Sequence, residues 1–136
     1  MTDLGLAVMY HYVLPRDPAP PRGIRPLFVD EFEHQLDALG ERYDIVHPVE
    51  FLRRIEEGAV SAKPACMLTF DDGTRDHLEV VAPILEKRGL RGLFFVLSWP
   101  IEERRMPLAH AVHWALSLDE HAVWDVFQRV ASERAY

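Results

Sequence analysis

Two carboxylates stand side by side at Asp71-Asp72, directly after the run Cys66-Met67-Leu68-Thr69-Phe70 and directly before Gly73-Thr74. A run that apolar reads as a buried strand, whereas adjacent acids are poor strand material and repel each other. A divalent cation is the simplest reason to keep them together, with one carboxylate on the metal and its neighbour left to take a proton. Gly73 permits the tight backbone needed to leave the strand. The plainer alternative is a strand-to-helix turn, in which Asp72 or Thr74 caps the next helix and the acids favour its positive end. In α/β folds the loops at strand C-terminal ends carry chemistry, because a rigid sheet holds them open to solvent. His11 ends the first apolar run and would share that rim in a parallel sheet, as a substrate contact or as a core or capping histidine. His110 and His113 are three apart, a spacing that puts two rings on one helix face. They are candidate metal ligands, with helical packing and solvent-facing roles as the alternatives. His34 and His47 have no acidic or histidine partner at ligand spacing and read as structural. Cys66, mid-strand, reads as a small core residue rather than a nucleophile.

Thr69-Phe70-Asp71-Asp72-Gly73 at the end of an apolar strand resembles the signature of the polysaccharide deacetylase family, also called NodB homology or carbohydrate esterase family 4. Met9-Tyr10-His11, a helix from Phe32 to Leu39, Val81-Ala82-Pro83-Ile84-Leu85 and Gly92-Leu93-Phe94-Phe95-Val96 follow the family's order. The resemblance covers residues 4 to 97 well and the rest loosely. It implies an irregular (β/α) barrel and a metal-dependent hydrolase that removes N-acetyl groups from an N-acetylated sugar or polysaccharide. It makes Asp71 the catalytic base and Asp72 a ligand to zinc, with cobalt or another divalent cation as alternatives.

The family's two histidine ligands come from a His-(Ser/Thr)-x-x-His motif, and no two histidines here are four apart. His113-Trp114-Ala115-Leu116 resembles a helical stretch found upstream of that motif in a subgroup of the family. The histidine pair and the catalytic acid are therefore expected beyond Tyr136. Leu118-Asp119-Glu120-His121 matches the family's Leu-x-x-His by letter, in the wrong place.

Two rivals remain. A haloacid-dehalogenase-like phosphatase carries Asp-x-Asp-Gly-Thr after an apolar strand, but its nucleophilic aspartate would have to be Phe70, which has no oxygen to phosphorylate. The other is a catalytically inactive fragment, or a module that binds carbohydrate or a partner chain.

The elements that must position these residues follow from periodicity. Leu4 to Tyr10 reads as the first strand, and residues 14 to 26, with five of the ten prolines, as an irregular loop. Asp30 opens a helix with Glu33 placed as in a capping box, a stripe of Phe32, Leu36 and Leu39, and Gly40 as its stop. Tyr43 to Val46 is a short strand; His47-Pro48 turns into a helix with Phe51, Leu52 and Ile55 inward, closed by Gly58. After the acids, a helix carries Leu78, Val81 and Leu85 inward, with Pro83 breaking or kinking it and Gly89 ending it. Leu93 to Leu97 is a further strand. Pro107 suits the first turn of a helix through Leu118, and Asp119 caps a last helix with Val123, Phe127 and Val130 buried. Strand and helix alternate as in a parallel α/β fold.

A closed parallel barrel takes roughly 250 residues, so 136 residues read as one incomplete domain, residues 1–136, forming the N-terminal half of such a barrel. Its uncovered flank is a site for self-association. The 49% hydrophobic content suffices for a packed core, and the net charge of −7 argues against a nucleic-acid partner. No signal peptide is legible, since Asp3 stands where a basic region belongs and Leu4 to Met9 is too short. No apolar run approaches the ~20 residues that span a bilayer, so no membrane partner is expected. The expectation is a cytoplasmic chain, although many members of the family act outside the cell.

Overall fold

Strands Gly5–Tyr10 (β1) and Ala65–Phe70 (β5) run parallel in unbroken register, from Gly5 opposite Ala65 to Tyr10 opposite Phe70. The computed structural model describes residues 5–20, 24–58 and 61–133. Leu4, expected to open β1, and residues 21–23 of the proline-rich loop lie outside the described residues. Between β1 and β5 come β2 (Val13–Leu14), β3 (Leu27–Phe28), α1 (Val29–Arg42), β4 (Asp44–Ile45) and α2 (Pro48–Glu57). After β5 come a π-helical turn (His77–Val81), α3 (Ala82–Lys87), β6 (Gly92–Phe94), α4 (Ser98–Glu103), α5 (Leu108–Leu118) and α6 (Glu120–Glu133). The chain packs as two compact units, one holding β1 through β6 and the other holding α4 to α6.

In the first unit β5 is the central strand. β1 runs along one edge, and β4 and β6 pair in parallel with its first and second halves along the other. β2 and β3 form a separate parallel pair. Cys66, Leu68 and Phe70 join Phe32 and Leu36 of α1, Val81 of the π turn and Leu85 of α3 in one buried cluster. Ala65, with Met67 beside it, packs instead with Val46 and with Phe51 of α2. With both faces occupied, β5 has no polar alternation, which is why it reads as a continuous apolar run. Each side chain as deeply buried as Phe32, Leu68 or Phe70 contributes about 1.5–3 kcal/mol. Burial also pushes the Cys66 thiol up, the opposite of what a nucleophile needs.

The last residues of β1, β5 and β6 are Tyr10, Phe70 and Phe94, adjacent in register. Their rings stack at 5.3 and 4.8 Å between centroids, and Phe32 meets Tyr10 edge-on at 5.1 Å. Such pairs add about 0.5–1.5 kcal/mol each beyond their burial. This aromatic row forms a rigid floor beneath the loops that leave the strands.

Several local expectations change. The cap of α1 is made by Glu31, whose carboxylate accepts the Phe28 N–H at 3.0 Å, rather than by Asp30 and Glu33. Asp30 is engaged by the Arg16 guanidinium at 3.0–3.3 Å. Gly40 does not stop α1, which continues to Arg42; a glycine inside a helix costs only about 1 kcal/mol. Leu78 is 76% exposed while His77 is buried. The cause is the π turn, where Ala82 N–H bonds to His77 O and the extra residue rotates the stripe. Pro83, which has no N–H, falls where the ladder returns to α geometry. β6 ends at Phe94, short of the expected Leu97.

In the second unit, α4 was not legible as a helix. Asp119 Oδ1 accepts the Ala122 N–H at 3.0 Å and caps α6 as expected. Phe127 and Val130, expected to be buried, are 61% and 40% exposed. α5 and α6 pack together, and a two-helix hairpin covers only one stripe of each partner. Among the described residues no helix is long and apolar enough to cross a membrane.

Candidate functional site

At the C-terminal rim of the sheet, β5 passes from Phe70 into Asp71, whose N–H donates to Tyr10 O at 2.9 Å. That bond carries the β1–β5 pairing one residue past the strand and fixes the backbone of Asp71 against β1. The next two residues turn sharply, with Asp72 at φ 80° and Gly73 at φ 64°. Aspartate is one of the few side chains that tolerate this region, at roughly 1–2 kcal/mol. Strain of that size clusters at functional turns. At Gly73 a Cβ would also lie 3.0 Å from Val96 Cγ1, so the turn has no room for a side chain.

The turn brings Asp72 to His11, sixty-one residues earlier, with Nδ1 2.9 Å from Oδ2. A carboxylate accepts, so Nδ1 carries the hydrogen. His11 is half exposed and Asp72 27% exposed, so both stay reachable from solvent. The structure thus brings together Asp71, Asp72 and His11 among the residues singled out from the sequence. His110 and His113 both lie on half-buried positions of α5, in the second unit. His47 caps α2, its Nδ1 accepting the Val49 N–H at 3.2 Å, and His34 is exposed on α1. The capping bond gives His47 a structural role.

Two residues of the site were not singled out. Asp76 is buried and its Oδ2 accepts the Val13 N–H at 2.8 Å. His77, 4% exposed, sits edge-on to Phe70 at 5.6 Å and near Phe94 at 5.9 Å, and its Nε2–H donates to His11 O. No helical spacing singles Asp76 out, since Asp72 lies at φ 80° in the turn before the helix begins at Arg75. Tyr12, between β1 and β2, holds its phenolic proton above the ordinary range. Burial is the main cause, helped by the negative charges of Asp72 and Asp76. Beside the turn a cavity of about 240 Å³ opens between Gly73, Thr74, His77, Leu78, Phe94 and Val96.

A catalytic zinc-type centre needs three protein ligands and an open position. Among the described residues, no group of three or more His, Cys, Asp or Glu side chains comes together to hold a metal ion. Asp72 remains a carboxylate donor beside His11, whose Nδ1–H is committed to it, and the described residues do not make a complete three-ligand site.

No curated protein matches the sequence. Among solved structures, the chain is similar to the Streptococcus pyogenes deacetylase PplD in complex with acetate, at 28% identity and a TM-score of 0.60 over 71% of this chain and 44% of that one. IcaB from Ammonifex degensii is 28% identical at a TM-score of 0.52, over 69% and 38% of the two chains. A de-N-acetylase from Aggregatibacter actinomycetemcomitans, 19% identical, shares the fold at a TM-score of 0.58 over 69% and 37%. The chain thus spans less than half the length of each of these structures. A family model described as polysaccharide deacetylase matches residues 59–134, the stretch that contains β5, the Asp71-Asp72 turn and every helix after it. On that match, the chain belongs to the polysaccharide deacetylase family.

Proposed function

We propose that this chain carries the acidic part of a metal-dependent hydrolytic site that removes N-acetyl groups from an N-acetylated carbohydrate. The observation that carries the reading is the Asp71-Asp72 turn at the end of the central strand, with Asp72 held against His11 at 2.9 Å. Family membership supports deacetylation in general, and the acetate bound to the S. pyogenes deacetylase supports an acetyl group as the part recognised.

In this reading Asp71 is the general base and Asp72 a ligand for zinc, cobalt or another divalent cation. Asp71 accepts a proton from the attacking water, whose oxygen bonds to the acetyl carbon. The carbon–nitrogen bond then breaks, the amine takes up a proton, and acetate leaves. His11 touches substrate or orients Asp72. His110 and His113 are the candidate further ligands among these residues, and the alternative is a histidine pair outside this stretch.

The fold reading is the N-terminal half of an irregular (β/α) barrel, in one incomplete domain over residues 1–136. It is supported by the all-parallel sheet, by α1 and α3 lying in one cluster against it, and by Met9 of β1 standing 60% exposed. A barrel interior would cover that face.

The test is acetate release from N-acetylglucosamine oligomers, with zinc or cobalt added, by the protein carrying this domain. Release that disappears in Asp71→Asn supports the reading, and release that survives the substitution overturns it. A second reading, an inactive module that binds carbohydrate or a partner chain, is favoured by the lack of a three-ligand group among the described residues. Zinc titration separates the two, since a competent site binds far more tightly than Asp72 with solvent.

A further inference from the structure

Only two residues, His11 and Tyr12, join β1 to β2, and the backbone from Tyr10 to Val13 is tied down at each step. Tyr10 O accepts the Asp71 N–H at 2.9 Å and Tyr12 O accepts the Leu27 N–H at 3.0 Å. His11 O accepts the His77 Nε2–H, and Val13 N–H donates to Asp76 Oδ2 at 2.8 Å. Two of these four ties therefore come from side chains of one dipeptide, Asp76-His77, at the start of the helix that follows the Asp71-Asp72 turn. We infer that Asp76 and His77 are positioning residues, which hold the 11–13 backbone so that the His11 imidazole meets the Asp72 carboxylate.

The chemistry of each residue supports this. His77 is buried against Phe70 and Phe94, and its Nδ1 has no hydrogen-bond partner among the described residues. An apolar side chain would fill that place without leaving a buried nitrogen unpaired, which is unfavourable. What imidazole adds is the Nε2–H bond to His11 O. Asp76 is likewise buried, and its acceptor satisfies a backbone N–H that would otherwise be stranded beneath the loop. Because Asp76 and His77 open the helix that follows directly on the Asp71-Asp72 turn, the stretch of chain that presents the carboxylate also clamps the loop that must meet it. The π turn is the device that makes this possible, since its extra residue turns His77 inward in place of Leu78.

The inference rests on the reading of Asp71 and Asp72 as the hydrolytic pair, and its test has one arm that does not depend on turnover. In the ¹⁵N-labelled chain at fixed pH, the His11 Nδ1 resonance reports the contact with Asp72, and Asp72→Ala provides the uncoupled reference. Asp76→Ala and His77→Leu are expected to move the signal toward that reference. Asp76→Asn, which keeps an acceptor, and His77→Gln, which keeps a donor, are expected to restore it. Leu85→Ala, similarly buried in the core but making none of the four ties, is expected to leave it in place. In acetate release by the protein carrying this domain, kcat should fall about tenfold or more in Asp76→Ala and His77→Leu and recover in the conservative variants, with KM changed by less than about twofold. An unmoved His11 signal in both deletion variants, or an equal shift in Leu85→Ala, overturns the inference. If one deletion variant does not fold, the other and its conservative pair decide. If the resonance pattern holds but no variant, wild type included, releases acetate, the positioning stands and the deacetylase reading is what fails.

Discussion

His11 and Asp72 lie at the ends of two adjacent parallel strands and bring Nδ1 to within 2.9 Å of Oδ2. The contact distinguishes the two neighbouring acids, because Asp72 is held through its carboxylate and Asp71 through its backbone N–H. Two identical side chains in sequence thus stand in different surroundings, which is the condition for giving them different work.

The first prediction follows from that difference. Asp72→Ala should weaken zinc binding by more than the roughly 10–100-fold that losing an outer-shell partner costs. In a complete enzyme carrying this domain, Asp71→Asn should bind zinc as the wild type does and lose turnover. Calorimetric titration and acetate release measure the two effects separately. Equal loss of metal in both variants would show that the roles are misassigned.

A second prediction concerns Phe70. Its ring is fully buried and stacked between Tyr10 and Phe94, so the position that a dehalogenase-type phosphatase reserves for its nucleophile is part of the core. The chain should release no phosphate from an aryl phosphate with magnesium. A phosphate burst with a trapped aspartyl intermediate would count against this.

Two glycines should respond with opposite signs. Gly73→Ala forces a side chain into left-handed backbone and against Val96, and should destabilise the fold by about 1 kcal/mol or more. Gly40→Ala, in the last turn of α1 with no atom within 4 Å of the new Cβ, should stabilise it by about 0.5–1 kcal/mol. Urea midpoints of both variants against wild type test the pair, and the same sign in both would contradict the backbone argument.

Alkaline pH should expose Tyr10. Burial, with a smaller contribution from Cys66, pushes its hydroxyl up to about 12 from the ordinary 10.0. The folded state therefore holds the proton more tightly than the unfolded chain. The associated stability is complete below about pH 10 and is lost as pH rises toward about 12. Tyr10→Phe should flatten that part of the decline in urea midpoint. An unchanged slope would assign the alkaline loss to other groups.

By themselves, these 136 residues should not release acetate from N-acetylglucosamine oligomers, because no three-ligand group forms among the described residues. Exposed apolar side chains such as Met9, Phe95 and Val96 should make the chain self-associate, which light scattering reads directly. A well-behaved monomer with metal-dependent turnover would contradict both statements, and His110 and His113 would then be the first ligands to mutate.

The sequence alone carried the central strand, the turn at Asp71-Asp72 and the alternation of helix and strand. Those features are local, since an apolar run, two adjacent acids and a glycine state their geometry within a few residues. It also carried the cap at Asp119, because capping is a matter of one side chain and the next turn of backbone. Tertiary structure alone decided which acid meets His11, a contact across sixty-one residues, and that Asp76 and His77 clamp the loop between β1 and β2. It also decided that Leu78 faces solvent, because a single extra residue in the π turn rotates everything before it by part of a turn. A periodicity argument assumes one helical repeat throughout. Pro83, which cannot donate a hydrogen bond, marks where that assumption broke.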